Sequence, residues 1–168
     1  LLDFLPEITA MRIASLKIEG RMKGIYYVAN VTRTYRAALD AIANGTFSQK
    51  QNRFQQELAN VSHRFYSPGF FANSPQQILG QQPYLRGKTM LGEVQTVDQN
   101  WAFVKARGKF QLGETIECIS PNLEADFSFA ITAMHDENHE PVTVANPNKN
   151  VWLKFPKKVM PNQILRKE

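Results

Sequence analysis

Ser15-Leu16-Lys17-Ile18-Glu19-Gly20-Arg21-Met22-Lys23 is the stretch that decides how the first half of this chain is read. Residues 14–18 alternate apolar and polar, as a short strand does, and then end in Glu, Gly, Arg and Lys. A helical pattern begins directly afterwards. Strand, polar loop and helix in that order make one βα unit, and the C-terminal ends of strands are where parallel α/β folds bind ligands and do chemistry. One such unit cannot form a parallel sheet, because parallel strands need neighbours joined by crossovers. The reading is therefore that the chain begins inside a larger α/β domain.

Outward from this run, residues 3–11 read as a short helix with Asp3 as N-cap and Pro6 in the first turn. From Gly24 to Ala43, Ile25, Val28, Val31, Tyr35, Ala38 and Ile42 recur at steps of three and four. They predict an amphipathic helix of roughly five turns, with Arg33, Arg36 and Asp40 on its polar side and Asn44-Gly45 as its stop. A second helix is predicted over 48–61, capped by Ser48, with Phe54, Leu58 and Val61 as its stripe. His63 to Phe71 then gathers four aromatics around a proline turn, and residues 72–87, rich in Gln, Pro and Gly, show no period.

Past that aperiodic stretch the period becomes two. Strands are predicted at 89–97, 101–106, 114–119, 126–134, 141–144 and 150–154, separated by turn signals such as Asp98-Gln99-Asn100 and Arg107-Gly108-Lys109. Their number and spacing suggest a small, closed or nearly closed antiparallel barrel of about six strands. The fold class read from the chain is α+β: the C-terminal remnant of a TIM-like α/β barrel with a helical extension over 1–80, a linker at 81–87, and a small antiparallel β-barrel over 88–168.

Composition narrows the function. No apolar run approaches the roughly 20 residues needed to cross a bilayer, and residues 1–14 carry Asp3, Pro6, Glu7 and Arg12 where a signal peptide needs an apolar core. A cytoplasmic protein without a membrane partner is expected. Cys118 is the single cysteine, set in an alternating segment, so it reads as a structural thiol. The net charge of +5 is uneven: residues 1–86 hold ten Lys/Arg and five Asp/Glu, and residues 87–168 hold ten of each. A basic N-terminal half suits contact with a phosphate backbone.

Four groups could carry function. Lys17 and Glu19 alternate away from Leu16 and Ile18, and a charged face on a parallel strand needs a reason. Projected into a barrel mouth, Glu19 could serve as base, metal-associated carboxylate or hydrogen-bond anchor, with Arg21 holding phosphate or carboxylate bidentately; a bracing ion pair is the plainer alternative. Gly24 opens a helix whose N-terminus favours an anion, with Lys23 before it and Tyr26 or Tyr27 placed to stack. His63, Arg64 and Tyr66 combine cations with aromatics, as RNA contacts do, though aromatics after a helix end also pack hinges. His135 and His139 among Asp136, Glu137 and Glu140 imitate a metal cluster but read as a solvated hairpin tip, so no metal site is assigned. The basic tail of Lys154, Lys157, Lys158, Arg166 and Lys167 reads chiefly as solvated surface.

The run from Leu5-Pro6-Glu7-Ile8 to Lys23, followed by Tyr27-Val28-Ala29, Tyr35-Arg36, Ser62-His63-Arg64, Gly69-Phe70-Phe71, Ala145-Asn146-Pro147-Asn148 and Ile164-Leu165-Arg166, resembles the peptidase U32 family along nearly the whole chain. The resemblance is to the collagenase-like proteins of that family, and within them to the bacterial branch of tRNA 5-hydroxyuridine formation. It implies that Glu19, Lys17 and Arg21 line a catalytic barrel mouth and that tRNA and prephenate are partners; Lys23, Tyr27, His63, Arg64 and Tyr66 are the residues whose own chemistry makes them the expected contacts to substrate or RNA. It further implies an iron–sulfur centre on cysteines upstream of residue 1, with no cofactor held by this chain. On that reading the parent is an enzyme, this chain alone is inactive, and an exposed truncated barrel face favours pairing with a second copy. Two alternatives stay open: a collagenase-like peptidase (a hydrolase), and a β-barrel that only binds other proteins.

Overall fold

The computed structural model describes residues 1–71 and 84–168, which form two units, Leu1–Gly87 and Lys88–Glu168. Most of the aperiodic stretch at 72–87, including the first part of the 81–87 linker, lies outside the described residues.

In the first unit, Leu2–Phe4 makes a single 3-10 turn that runs into α1 (Leu5–Ala10), with Pro6 in its opening turn, where a missing N–H costs nothing. Asp3 does not cap this helix. Its Oδ1 accepts from the side-chain amides of Gln51 and Gln55, at 2.8 and 2.7 Å, and these bonds hold its carboxyl below the usual range. α2 (Ile25–Ala43) starts after Gly24 and ends at Asn44, and Gly45 takes the left-handed conformation that turns the chain. α3 (Phe47–Ala59) follows and packs antiparallel on α2, one residue earlier than the period suggests and without a side-chain cap from Ser48.

The face that α2 buries differs from the predicted stripe. Tyr26, Asn30, Val31, Thr34, Ala38 and Ala41 are buried, whereas Ile25 and Val28 are about half exposed. Arg33, expected on the polar side, is buried. Its Nη2 lies 2.6 Å from Glu57 Oε2, its Nε donates to Asn30 Oδ1, and Asn30 in turn donates to the Glu57 carbonyl. A buried guanidinium is tolerable only with such partners, so a polar seam, invisible to hydropathy, sets the rotation of α2.

Residues 15–20 also depart from expectation. They run without a strand partner among the described residues, and Leu16 and Ile18 are largely exposed. Alternation makes a segment competent for pairing, but a strand exists only through hydrogen bonds to neighbours. The apolar residues Leu16, Ile18, Ile8, Leu39 and Tyr35 therefore border an open groove of about 380 Å³.

The second unit contains nine strands: β1 (Thr89–Asp98), β2 (Trp101–Ala106), β3 (Phe110–Gln111), β4 (Thr115–Ile119), β5 (Phe127–Ala130), β6 (Met134–His135), β7 (Val144–Ala145), β8 (Asn150–Lys154) and β9 (Ile164–Lys167). Seven form one antiparallel sheet in the order β5-β4-β9-β1-β2-β8-β6, and β3 pairs with β7. The sheet curls around Val104, Phe110, Ile116, Met134, Leu153 and Leu165 without closing, since β5 and β6 are its edges. The closed or nearly closed barrel of about six strands suggested by the sequence is thus an open half-barrel, with seven strands in its main sheet. Register shifts at Met90/Gly92 and Val94/Thr96 bend β1, the central strand, and supply the curl. At Gly92 the bend brings the next strand so close that a Cβ would lie 2.8 Å from Val104 Cγ1 and 2.9 Å from the Lys105 carbonyl oxygen.

β9 is the strand that the sequence pattern hides. Its residues Arg166 and Lys167, expected in a solvated tail, belong to the middle of the sheet. Arg166 is fully buried opposite Glu117, with Nε donating to Glu117 Oε2 at 2.7 Å, and Lys88 Nζ reaches the same oxygen at 2.7 Å. Burial works against the Glu117 carboxylate, but the hydrogen bonds from Arg166 and Lys88 outweigh it and hold the group below its ordinary range. Lys167 pairs with Glu114 at 3.0 Å.

Candidate nucleic-acid interface

The first unit brings its cations and tyrosines together where α2 begins and α3 ends. A turn closed by the Lys23 N–H to the Gly20 carbonyl sets Lys23 just before α2. After α3 the chain reverses, and His63 exchanges two backbone hydrogen bonds with Leu85, of 3.0 and 2.8 Å. Gly87 anchors this return. Its N–H donates to the Ala59 carbonyl, and a Cβ there would stand 2.9 Å from Asn60 Oδ1 and 3.2 Å from the Ala59 oxygen.

The return places Tyr84 between two cations. Lys23 Nζ lies 5.1 Å from the centre of its ring and the Arg64 guanidinium 5.3 Å. Lys23 also sits 5.3 Å from the Tyr27 ring and donates, at 3.5 Å, to the Ser62 carbonyl. Beside them the His63 and Tyr66 rings stack at 4.2 Å and 9°. The Tyr66 hydroxyl donates to the Leu58 carbonyl at 2.7 Å. Although the residue is exposed overall, partial burial first, then the neighbouring Tyr27 and Tyr35, push the phenol up to about 12. It remains a neutral donor at every physiological pH. Cations resting on exposed aromatic faces can hold a phosphate and stack a base without reorganising.

All five residues expected to contact substrate or RNA (Lys23, Tyr27, His63, Arg64 and Tyr66) therefore share one surface. Tyr84 belongs with them and was missed, because it stands in an aperiodic stretch with no local signal. The expected catalytic group is more dispersed. Lys17 Nζ and Glu19 Oε2 form a 3.2 Å ion pair, but both side chains are largely exposed, which makes the pair weak. Arg21 is exposed in the following turn. Tyr27 links the two groups: it borders the open groove with Lys17 and Glu19, and its Cε1 would lie 3.4 Å from a Cβ at Gly20.

Among the described residues no three His, Cys, Asp or Glu side chains converge as metal ligands. Cys118 is buried, its thiol pushed up to about 12 by burial, and donates weakly to Gln163 Oε1. One shielded thiol does not fit an iron–sulfur cluster, which takes several thiolates. No helix among the described residues is long and apolar enough to cross a membrane.

Helices carrying a cation–tyrosine surface, followed by a curled antiparallel sheet, define a two-unit α+β protein. The chain belongs to peptidase family U32: residues 1–81 match Peptidase family U32, and residues 86–166 match the Peptidase family U32 C-terminal domain. It is 32% identical, over 99% of its length, to tRNA hydroxylation protein P1 of Bacillus subtilis, and covers 41% of that protein. It is 30% identical, over 95% of its length, to tRNA hydroxylation protein P of Haemophilus influenzae, and covers 35% of it. The solved C-terminal domain of a Geobacillus thermoleovorans protein described as a U32 peptidase aligns with 47% of this chain and 99% of its own length, at 26% identity and a TM-score of 0.44.

Proposed function

We propose that this chain is part of a cytoplasmic tRNA-modifying protein of the uridine 5-hydroxylation type, and that its first unit docks the RNA. The observation that carries this reading is the chain-long similarity to tRNA hydroxylation proteins. The geometry suggests where docking occurs: Lys23 and Arg64, laid on the ring of Tyr84, meet the phosphates, while Tyr27, His63 and Tyr66 offer faces to unpaired bases. On this reading residues 1–80 complete an α/β barrel, residues 81–87 link it to the sheet unit, and Lys17, Glu19 and Arg21 stand at the barrel mouth, orienting substrate rather than supplying the redox chemistry. The chain alone turns nothing over.

The test is a salt titration of tRNA binding by the full chain. Binding should weaken steeply with salt, and Lys23→Ala and Arg64→Ala should each lower affinity and reduce the salt slope by about one. Absence of binding at low salt by a folded chain refutes the proposal, as does binding that neither substitution alters.

A further inference from the structure

The sheet unit holds a second aromatic site that the docking surface does not use. β1, β2, β8 and β6 turn one face outward, and register places Asp98 beside Trp101, Trp101 beside Lys154, Phe103 beside Trp152, and Trp152 beside His135. His135 and His139 flank a hairpin tip, as expected, with His139 exposed, and their rings also stack on the tryptophans: His135 on Trp101 at 4.5 Å and 23°, and His139 on Trp152 at 5.4 Å and 23°. Together with Asp98 these four rings line a cleft of about 300 Å³.

We propose that this cleft takes one unpaired nucleobase of an RNA, with guanine preferred. Its size is at the small end of ligand pockets and suits one flat heterocycle rather than a helix or a duplex. Apart from Asp98 its lining is aromatic, two His–Trp stacks on which a further ring could extend the stacking. Asp98 is an acceptor at the rim, and guanine alone among the common bases offers a carboxylate two adjacent N–H donors, N1–H and N2–H. Lys154, exposed on the same face, lies within reach of the flanking phosphate. The nearby acids are engaged elsewhere: Asp136 Oδ1 accepts from the backbone of Asn138 and Glu140, and Glu137 Oε1 accepts from the Asn150 amide. The unit as a whole gives no general field for RNA, so the site selects a base and does not supply bulk affinity. The inference rests on the RNA reading only for the source of that base.

The chain supplies its own reporter, because Trp101 and Trp152 are its only tryptophans. Titrating the full 168-residue chain with the single-stranded pentamers UUGUU, UUAUU and UUUUU should quench tryptophan fluorescence, with UUGUU binding tightest. Trp101→Ala and Trp152→Ala each keep one reporter and should weaken binding about tenfold or more; Trp152→Phe, which retains a flat ring, should weaken it less. Asp98→Asn should remove the preference for UUGUU while leaving the quenching. No quenching by any pentamer overturns the proposal, and equal affinity for the three overturns the assignment of guanine. Quenching by tetramethylammonium but not by RNA overturns it in favour of a cation cage. Lys23→Ala and Arg64→Ala should leave the pentamer response intact. Failure of the unsubstituted chain to bind tRNA while the pentamers still quench refutes the docking surface and not this cleft; intact tRNA docking without quenching refutes the cleft alone.

Discussion

Glu117→Gln is the most demanding test of the sheet unit. The substitution keeps the shape of the side chain but removes the charge that faces Arg166, which has no solvent exposure, and Lys88. Breaking a buried pair from one side costs about 3–5 kcal/mol, because the remaining ion stays desolvated. Glu117 retains some contact with water, so the low end, about 3 kcal/mol, is expected. For a unit spanning Lys88–Glu168 this corresponds to a fall in Tm of roughly 12–24 °C. Tryptophan fluorescence reads it directly, since both tryptophans lie in this unit. The pH dependence has a definite sign. The folded carboxyl titrates below the ordinary glutamate value of 4.5, so its stabilisation is complete above that value and is lost as pH falls through the lower folded one. Glu117→Gln should abolish that acid-labile portion. The double variant Glu117→Leu/Arg166→Met, which removes both charges, should recover much of the loss. If the single and double variants are equally unstable, or if Glu117→Gln melts within a few degrees of the wild type, β9 is not held by this ion pair and the account of its burial is wrong.

Three further outcomes are expected. Glu57→Ala, which strands Arg33 inside the α2–α3 seam, should destabilise the first unit by about 3 kcal/mol and lower helical circular dichroism on heating, without moving the tryptophan transition. Gly92→Val should cost about 1–3 kcal/mol through overpacking against Val104 and the Lys105 backbone, visible as an earlier urea midpoint. Cys118 should stay unreactive toward a disulfide reagent in the native chain at pH 8 and react only when the sheet unfolds, because burial pushes its thiol up to about 12; a fast native reaction contradicts its placement.

Local signals carried much of the architecture. The 3.6-residue period located α2 and α3 to within about two residues, and alternation with turn residues located β1, β2, β4 and β8. The errors share one cause: hydropathy ranks Arg and Lys as solvent-facing, yet Arg33 and Arg166 are buried through partners far along the chain, Glu57 and Glu117. A four-residue strand that contains such an arginine gives no alternation to read, so β9 passed as tail and the sheet lost a central member. Tyr84 was missed for a related reason, since its place follows from the bridge that its chain neighbour Leu85 makes with His63, more than twenty residues earlier in the chain. Residues 14–18 erred in the opposite direction. Their pattern is that of a strand, but pairing is a property of neighbours and not of the segment itself.

The same distinction governs how the basic charge is used. In the sheet unit, Lys88, Arg166 and Lys167 are taken up by Glu117 and Glu114, so their charge is internal to the fold and offers little to a phosphate. In the helical unit, Arg33 is likewise absorbed by Glu57, but Lys23 and Arg64 rest on tyrosine faces, which orient a cation without neutralising it. A formal excess of +5 therefore understates the contrast between the two units. On the docking reading proposed above, Lys23 and Arg64, where α2 begins and α3 ends, are the cations that aromatic faces hold ready for a polyanion. In the sheet unit, whose charges balance, the surface feature left for recognition is the tryptophan cleft, so the two proposals together divide the work into phosphate holding by the helical unit and base selection by the sheet unit, and each stands or falls by its own test.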